Sequence, residues 1–196
     1  MPKIVNYDEK KHEIAENAVN VFIKNGYHKT KLSDIAKKCG MGRTTLYQYF
    51  ENKDEIFSFV INHTSLEFKS YLEEVVNERE ISFFDKIKKI INDLIRESSN
   101  NKQIIIMLEL WLVLKMENAK IANEIRFNAL ELRRMFEYLL SESEKRGEIK
   151  KVNNEAMANT LYALVESLVL QQFLFSDLDA KQCISSIEIL VEGLRI

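Results

Sequence analysis

The chain has 196 residues, 46% hydrophobic and 30% charged, which suits one or two domains with a real core. One proline and five glycines leave few helix breakers. Two distant cysteines, Cys39 and Cys183, exclude a disulfide framework and a cysteine metal site and fit a reducing compartment. The net charge of −2 hides an asymmetry, since residues 1–53 carry ten Lys or Arg against six Asp or Glu. A basic head followed by an acidic body suits a protein that sets one end on phosphate.

Pro2, Lys3, Asp8, Glu9, Lys10 and Lys11 leave the N-terminus no apolar run, so no secretory leader is expected. A first helix is predicted over Glu9–Lys24, with Ile14, Ala18, Val21 and Phe22 inward and Gly26 ending it. Ser33–Phe50 then reads as two short helices joined by a tight turn. Ile35 and Cys39 are four apart and Leu46 and Tyr49 three apart, so each pair shares a helix face. Ala36 sits where the helices cross, and Met41 closes the corner. Gly40 falls where the first helix reverses and a positive φ is needed. Gly42 is near the N-cap of the second helix, where Ser or Asp would satisfy the free N–H groups better.

A plain helical hairpin would share that inner spacing. The outer chemistry points instead to a helix-turn-helix whose second helix enters the major groove. Arg43, Thr44 and Thr45 open that helix, and Tyr47, Gln48 and Tyr49 follow. Arginine reaches guanine O6 and N7, glutamine reaches adenine N6 and N7, and a threonine methyl touches thymine. Lys29, Lys31, Lys37, Lys38, Arg43 and Lys53 bracket the motif.

The stretches Gly26-Tyr27-His28-Lys29-Thr30, Asp34-Ile35-Ala36 and Gly40 to Phe57 resemble the N-terminal domain of the tetracycline-repressor (TetR) family of bacterial transcription regulators. The resemblance runs from about Glu9 to Phe57, and its most specific part is Leu46-Tyr47-Gln48-Tyr49-Phe50 followed by Asn52-Lys53-Asp54-Glu55. Gly42 departs from it, since the family more often has Ser there. The resemblance implies that Arg43, Thr44 and Thr45 meet bases and nearby phosphates. It implies that Tyr47 and Tyr49 contact the sugar-phosphate backbone, that Gln48 reaches a base and that Lys53 touches a phosphate. Thr30 and Lys31 match the other flank, where N–H groups at a helix start hold a phosphate. On the residues alone, Tyr47 packing on the first helix and Gln48 facing solvent remain open.

Asn52 reads as the cap of a long helix, with Asp54 and Glu55 in its first turn and a run to about Asn77. Further helices are predicted over 83–97, 103–116, 119–145, 154–175 and 180–194, with Ser98–Asn101 as a loop. The fold class expected is all-α with about nine helices. Residues 1–52 form a three-helix DNA-binding domain, and 53–196 a helical ligand-binding and dimerisation domain. The richest apolar runs, Ile104–Met116 and Leu161–Phe175, are shorter than the ~20 residues that span a bilayer.

The helix over 154–175 is apolar around most of its circumference and needs cover on two sides. Its own core and a second subunit would supply that cover. A monomer's central helix is the alternative. Leu161, Leu168, Val169 and Phe173, with Ile187, Leu190 and Leu194 of the last helix, are the expected interface. The resemblance implies a two-fold dimer with a four-helix bundle there. Such a dimer presents two recognition helices to a palindromic operator.

Phe68, Tyr71, Met107, Trp111, Phe127, Met135 and Tyr162 are large or adaptable enough to line a pocket, and equally suited to plain core. Glu109 and Glu166 interrupt apolar stretches. They could balance a cationic ligand, pair with Lys115 or Arg126, or face solvent. The resemblance implies a small inducer that shifts the heads through population shift. His12, His28 and His63 lack metalloenzyme spacing, and no phosphate-binding glycine loop or nucleophile elbow is present. The expectation is a cytoplasmic, homodimeric, ligand-responsive regulator, a repressor, with no catalytic residue, cofactor or metal. A DNA-binding structural or scaffold protein of the same fold without a small ligand is the alternative.

Overall fold

The computed structural model describes residues 6–100, 119–175 and 178–196. Eight helices lie among them: α1 (Tyr7–Asn25), α2 (Leu32–Lys38), α3 (Arg43–Leu46), α4 (Lys53–Asn77), α5 (Phe83–Asn100), α6 (Ala119–Lys145), α7 (Asn154–Leu174) and α8 (Ala180–Glu192). The fold is all-α; among the described residues the one extended pairing is an antiparallel bridge between Ile149 and Arg195. The helix expected over 103–116 lies outside the described residues, as do Met107, Glu109, Trp111 and Lys115. No described helix is long and apolar enough to cross a membrane.

The chain divides into two compact units. The first takes in residues up to Leu66; the second starts at Glu67 and resumes at Ile125. The boundary falls inside α4, because Ile56, Phe57 and Ile61 at its start are buried with the head.

In the first unit, α1 packs on α2 and α2 on α3. Ile14, Ala18, Phe22, Ile35, Ala36, Leu46, Phe50, Ile56 and Phe57 form its interior. The Phe22 ring lies 5.1 Å from Tyr27 and 6.2 Å from Phe57, centroid to centroid. Such pairs add about 0.5–1.5 kcal/mol each beyond area burial. Helix α1 begins at Tyr7, two residues before the expected start, because the Asn6 side chain accepts from Asp8 N–H at 3.2 Å and caps it.

In the second unit the core joins one face of every described helix: Leu72 and Val75 of α4, Ile87, Ile90, Ile91 and Ile95 of α5, Phe136 and Leu140 of α6, Leu161 and Val165 of α7, and Ile184 and Ile187 of α8. Helix α5 packs on both α7 and α8. It also runs through the expected loop at Ser98. That hydroxyl lies 2.8 Å from the Ile95 carbonyl and 2.9 Å from the Gln172 side-chain oxygen, so the serine is satisfied inside the helix. The C-terminus is tied back by Lys150 N–H to Leu194 C=O at 2.9 Å and by Arg195 to Asp85 at 3.1 Å.

Candidate nucleic-acid interface

The turn between α2 and α3 is built as the sequence requires. Gly40 has φ +66°, its N–H donates to Lys37 C=O at 3.2 Å, and Met41 N–H donates to Ala36 C=O at 3.0 Å. This doubly bonded C-terminal turn reverses the chain in two residues and needs a left-handed position. Gly42, extended at φ −74°, caps α3 without a side-chain bond. Only Arg43–Leu46 is regular α-helix; Gln48 N–H to Thr45 C=O at 3.1 Å and Tyr49 N–H to Leu46 C=O at 3.0 Å continue it as a tighter turn. Two threonines and two tyrosines in succession hold back helix propensity there.

Leu46 and Phe50 anchor this segment in the core, while Arg43, Thr44, Thr45, Tyr47 and Gln48 are exposed. Arg43 Nη2 donates to Tyr47 Oη at 2.8 Å, and the guanidinium lies 5.4 Å from the Tyr47 ring centroid. Tyr47 thus faces solvent beside Arg43, not the first helix. Tyr49 is half-buried and stacks on Tyr7 with centroids 5.0 Å apart and planes 24° apart. The Tyr7 hydroxyl donates to Gln48 C=O at 2.9 Å. Lys11 Nζ sits 4.8 Å from the Phe50 ring centroid. Tyr7 and Lys11 therefore brace the recognition segment from α1, a role the sequence reading missed. Asn6 followed by Asp8 and Glu9 was the available signal for an earlier helix start.

Three flanking residues differ from expectation. Thr30 is only 3% exposed, its hydroxyl donates to Gly26 C=O at 2.8 Å, and its N–H is shared between Gly26 and Tyr27 carbonyls at 3.2 Å. Lys31 N–H donates to the Asp34 carboxylate at 2.9 Å. Those N–H groups are satisfied within the head, so neither is open to a phosphate; the exposed Lys31 side chain is. Lys53 is half-buried: its Nζ donates to Tyr27 C=O at 2.9 Å and lies over the Tyr27 ring at 4.3 Å. It ties the turn after α1 to the start of α4, beside the Tyr27 hydroxyl's bond to Asp54. Cys39 is partly buried, and burial first among the causes pushes its thiol pKa up, which keeps it a protonated packing group.

A buried two-helix corner with an outward Arg-Thr-Thr-Tyr-Gln face, ringed by exposed Lys29, Lys31, Lys37 and Lys38, is the geometry of a major-groove reader. Residues 14–59 match the family model of bacterial regulatory proteins of the tetR family. Residues 14–59 carry a TetR-type DNA-binding domain. The chain is 28% identical over 141 residues to the fatty acid metabolism regulator protein of Bacillus subtilis, covering 71% of this chain and 70% of that protein. It is 24% identical over 184 residues to the transcriptional regulator PksA of the same species, covering 89% and 83% of the two chains. Among solved structures, a TetR regulator from Haloarcula marismortui matches with TM-score 0.85 at 13% identity, covering 96% of this chain and all 100% of that one. The Bacillus subtilis FadR in complex with stearoyl-CoA matches with TM-score 0.77 at 22% identity, covering 94% and 99%. These relatives and neighbours are transcription regulators, and this chain is a DNA-binding regulator and not an enzyme.

The body of the regulator redistributes the other candidate residues. Phe68, Tyr71, Met135 and Tyr162 pack partly buried against the second core, whereas Phe127 is 55% exposed and lines no interior. Tyr71 donates to Asp93 at 2.7 Å and Tyr162 to Glu166 at 2.8 Å. Burial first, then the neighbouring carboxylate, raises both phenol pKa values, so both stay protonated donors. Glu166 thus takes its own helix's tyrosine as partner. The Arg133 guanidinium lies 4.6 Å from the Tyr162 ring centroid, and its Nε is buried without a hydrogen-bond partner.

The expected interface residues divide. Leu161, Val169 and Ile187 are buried in the chain's own core, and Leu168 and Leu194 are partly buried against it. Leu161, Val169 and Ile187 are packing residues of one subunit, because the inward stripes of α7 and α8 run through them. Leu190, 64% exposed, and its neighbour Ile189, 73% exposed, face outward, as do Leu174 and Phe175. Phe173 lies in α7 with its side chain outside the described residues.

Proposed function

We propose that this regulator is a homodimeric repressor that occupies a palindromic operator and leaves it when a small molecule binds its body. Residues 1–52, with the start of α4, carry DNA recognition, and the rest of 53–196 carries dimerisation and ligand binding. Arg43, Thr44, Thr45 and Gln48 read bases, and Tyr49, the Lys31 side chain and Lys53 serve the backbone contacts. The outward face of α3 beside exposed lysines carries the reading: phosphate contacts supply affinity and the groove face supplies specificity. The cytoplasm, where the operator is, is the place of action.

Dimerisation draws support from Ile189 and Leu190 on α8, adjacent apolar residues left exposed on a helix whose other face is core. The ligand proposed is a long-chain acyl-CoA. Its support is the relative named for fatty acid metabolism and the fold neighbour that holds stearoyl-CoA. Arg133 adds a cation with an unpartnered buried Nε, suited to an acidic group beside apolar core. Ligand binding would favour the body conformation whose two heads do not fit one operator.

The test begins with selection of bound fragments from random DNA, followed by titration of the complex with stearoyl-CoA, stearate and coenzyme A. Release by stearoyl-CoA alone is the expected result. Specific binding that none of the three alters overturns the acyl-CoA ligand and favours a DNA-binding structural protein of this fold. Failure to select any sequence overturns the regulator itself.

A further inference from the structure

We propose that Tyr47 is a positioning residue for Arg43: its hydroxyl holds the guanidinium in a single outward pose for base readout. This rests on the assignment of α3 as the reading surface and goes beyond it in giving Tyr47 a task other than holding a phosphate.

Arg43 and Tyr47 are four residues apart and share one face of the recognition segment. An exposed arginine at a helix start has several rotamers, and only one delivers two parallel N–H groups to guanine O6 and N7. Arg43 Nη2 donates to Tyr47 Oη at 2.8 Å, and the guanidinium carbon stands 5.4 Å from the ring centroid. The hydroxyl bond restricts the torsions, and the guanidinium lies over the ring. One of five N–H groups is used, which leaves enough donors for a two-point contact. The backbone that carries the tyrosine is held in place, because the turn is pinned by buried Leu46 and Phe50 and by the Tyr7 bond to Gln48 C=O at 2.9 Å. The chain of constraint therefore runs from core to Tyr47 to Arg43 to base. Reading by a pre-set arginine is sharper than reading by a mobile one, since the wrong base is not rescued by an alternative rotamer.

The experiment is a double-mutant cycle on the full chain, using the sequence obtained by selection and a shuffled duplex of equal length. Tyr47→Phe keeps the ring and removes the hydroxyl; Arg43→Ala removes the reader. Tyr47→Phe is expected to weaken binding to the selected sequence about 5- to 30-fold, leave the shuffled duplex within about 2-fold and leave the salt slope unchanged. The double variant is expected to match Arg43→Ala alone. Base-pair scanning should show discrimination falling at the pair lost in Arg43→Ala and nowhere else. Two results overturn the proposal while sparing the assignment of α3. One is additive losses; the other is equal weakening on both duplexes, the signature of a plain phosphate contact. An Arg43→Ala variant that binds the selected sequence like the parent overturns the assignment of α3 and this inference with it. Matching thermal melts of Tyr47→Phe and the parent exclude a folding effect.

Discussion

At Lys53 one amine has two tasks. Its bonds to the Tyr27 and His28 carbonyls, at 2.9 and 3.4 Å, hold the turn after α1 against the start of α4. Its charge still adds to the basic rim. Lys53→Ala is therefore expected to lower the melting temperature of the head and weaken binding to all DNA sequences alike, with the salt slope falling by about one. Thermal unfolding and a salt series check the two parts; unchanged stability would reduce Lys53 to a phosphate contact. Gly42 offers the reverse case. A Cβ built there meets only Thr45 Oγ1 at 3.9 Å, and the backbone is already extended. Gly42→Ser should stabilise the protein by a few tenths to about 1 kcal/mol, by capping α3 and by narrowing the unfolded ensemble. Chemical denaturation would reveal this as a higher midpoint at constant slope. The spacing of Ile35 and Leu46 was legible in sequence because helical periodicity is local, whereas Phe50, buried beside the half-buried Tyr49, was not read as core. The satisfied N–H groups of Thr30 and Lys31 were not, since their partners depend on how the turn at Gly26 closes.

Helices α7 and α8 show what an element decides. In α8, Ile184, Ile187 and Val191 form the inward stripe, and Ile189 and Leu190 project from the remaining surface. Asp179 caps the helix by accepting from Lys181 N–H at 2.9 Å and Gln182 N–H at 3.3 Å, so its start is set locally. Ile189→Glu with Leu190→Glu should leave the monomer fold intact while dissociating the proposed dimer. Light scattering at micromolar concentration would then report half the parent mass, and palindrome binding should drop by more than tenfold. A parent that is already monomeric would defeat the dimer. Deleting inward packing acts differently: Phe136→Ala, in the core of α6, should cost about 3–5 kcal/mol and show directly in denaturation.

For the molecule as a whole, the second unit is fastened by charge as well as by apolar packing. Asp85 pairs with Lys88 at 2.7 Å and Arg195 at 3.1 Å, and Lys88 also reaches Glu192 at 3.1 Å. Burial alone would raise the Asp85 pKa, but hydrogen bonds from Lys88 and Ser82 and the charges of Lys88 and Arg195 outweigh it and hold the carboxyl below its usual value. A depressed folded pKa stabilises fully above the unfolded value near ~3.9, and that contribution is lost as pH falls through the folded pKa. Asp85→Asn should accordingly be less stable than the parent at neutral pH, by on the order of 1 kcal/mol or less because the site is partly exposed. The difference should close below about pH 4; a gap that persists in acid would mean packing, not charge, is lost.

Sequence by itself determined the helical class, the corner at Gly40 and the outward Arg-Thr-Thr-Tyr-Gln face, because caps, turns and face spacing are set by residues within a few positions of one another. Tertiary structure alone decided which side of α7 and α8 is core and which carbonyls Lys53 holds. A helix that is apolar nearly all round has no phase of its own, and a long basic side chain takes whichever acceptor the fold brings within reach.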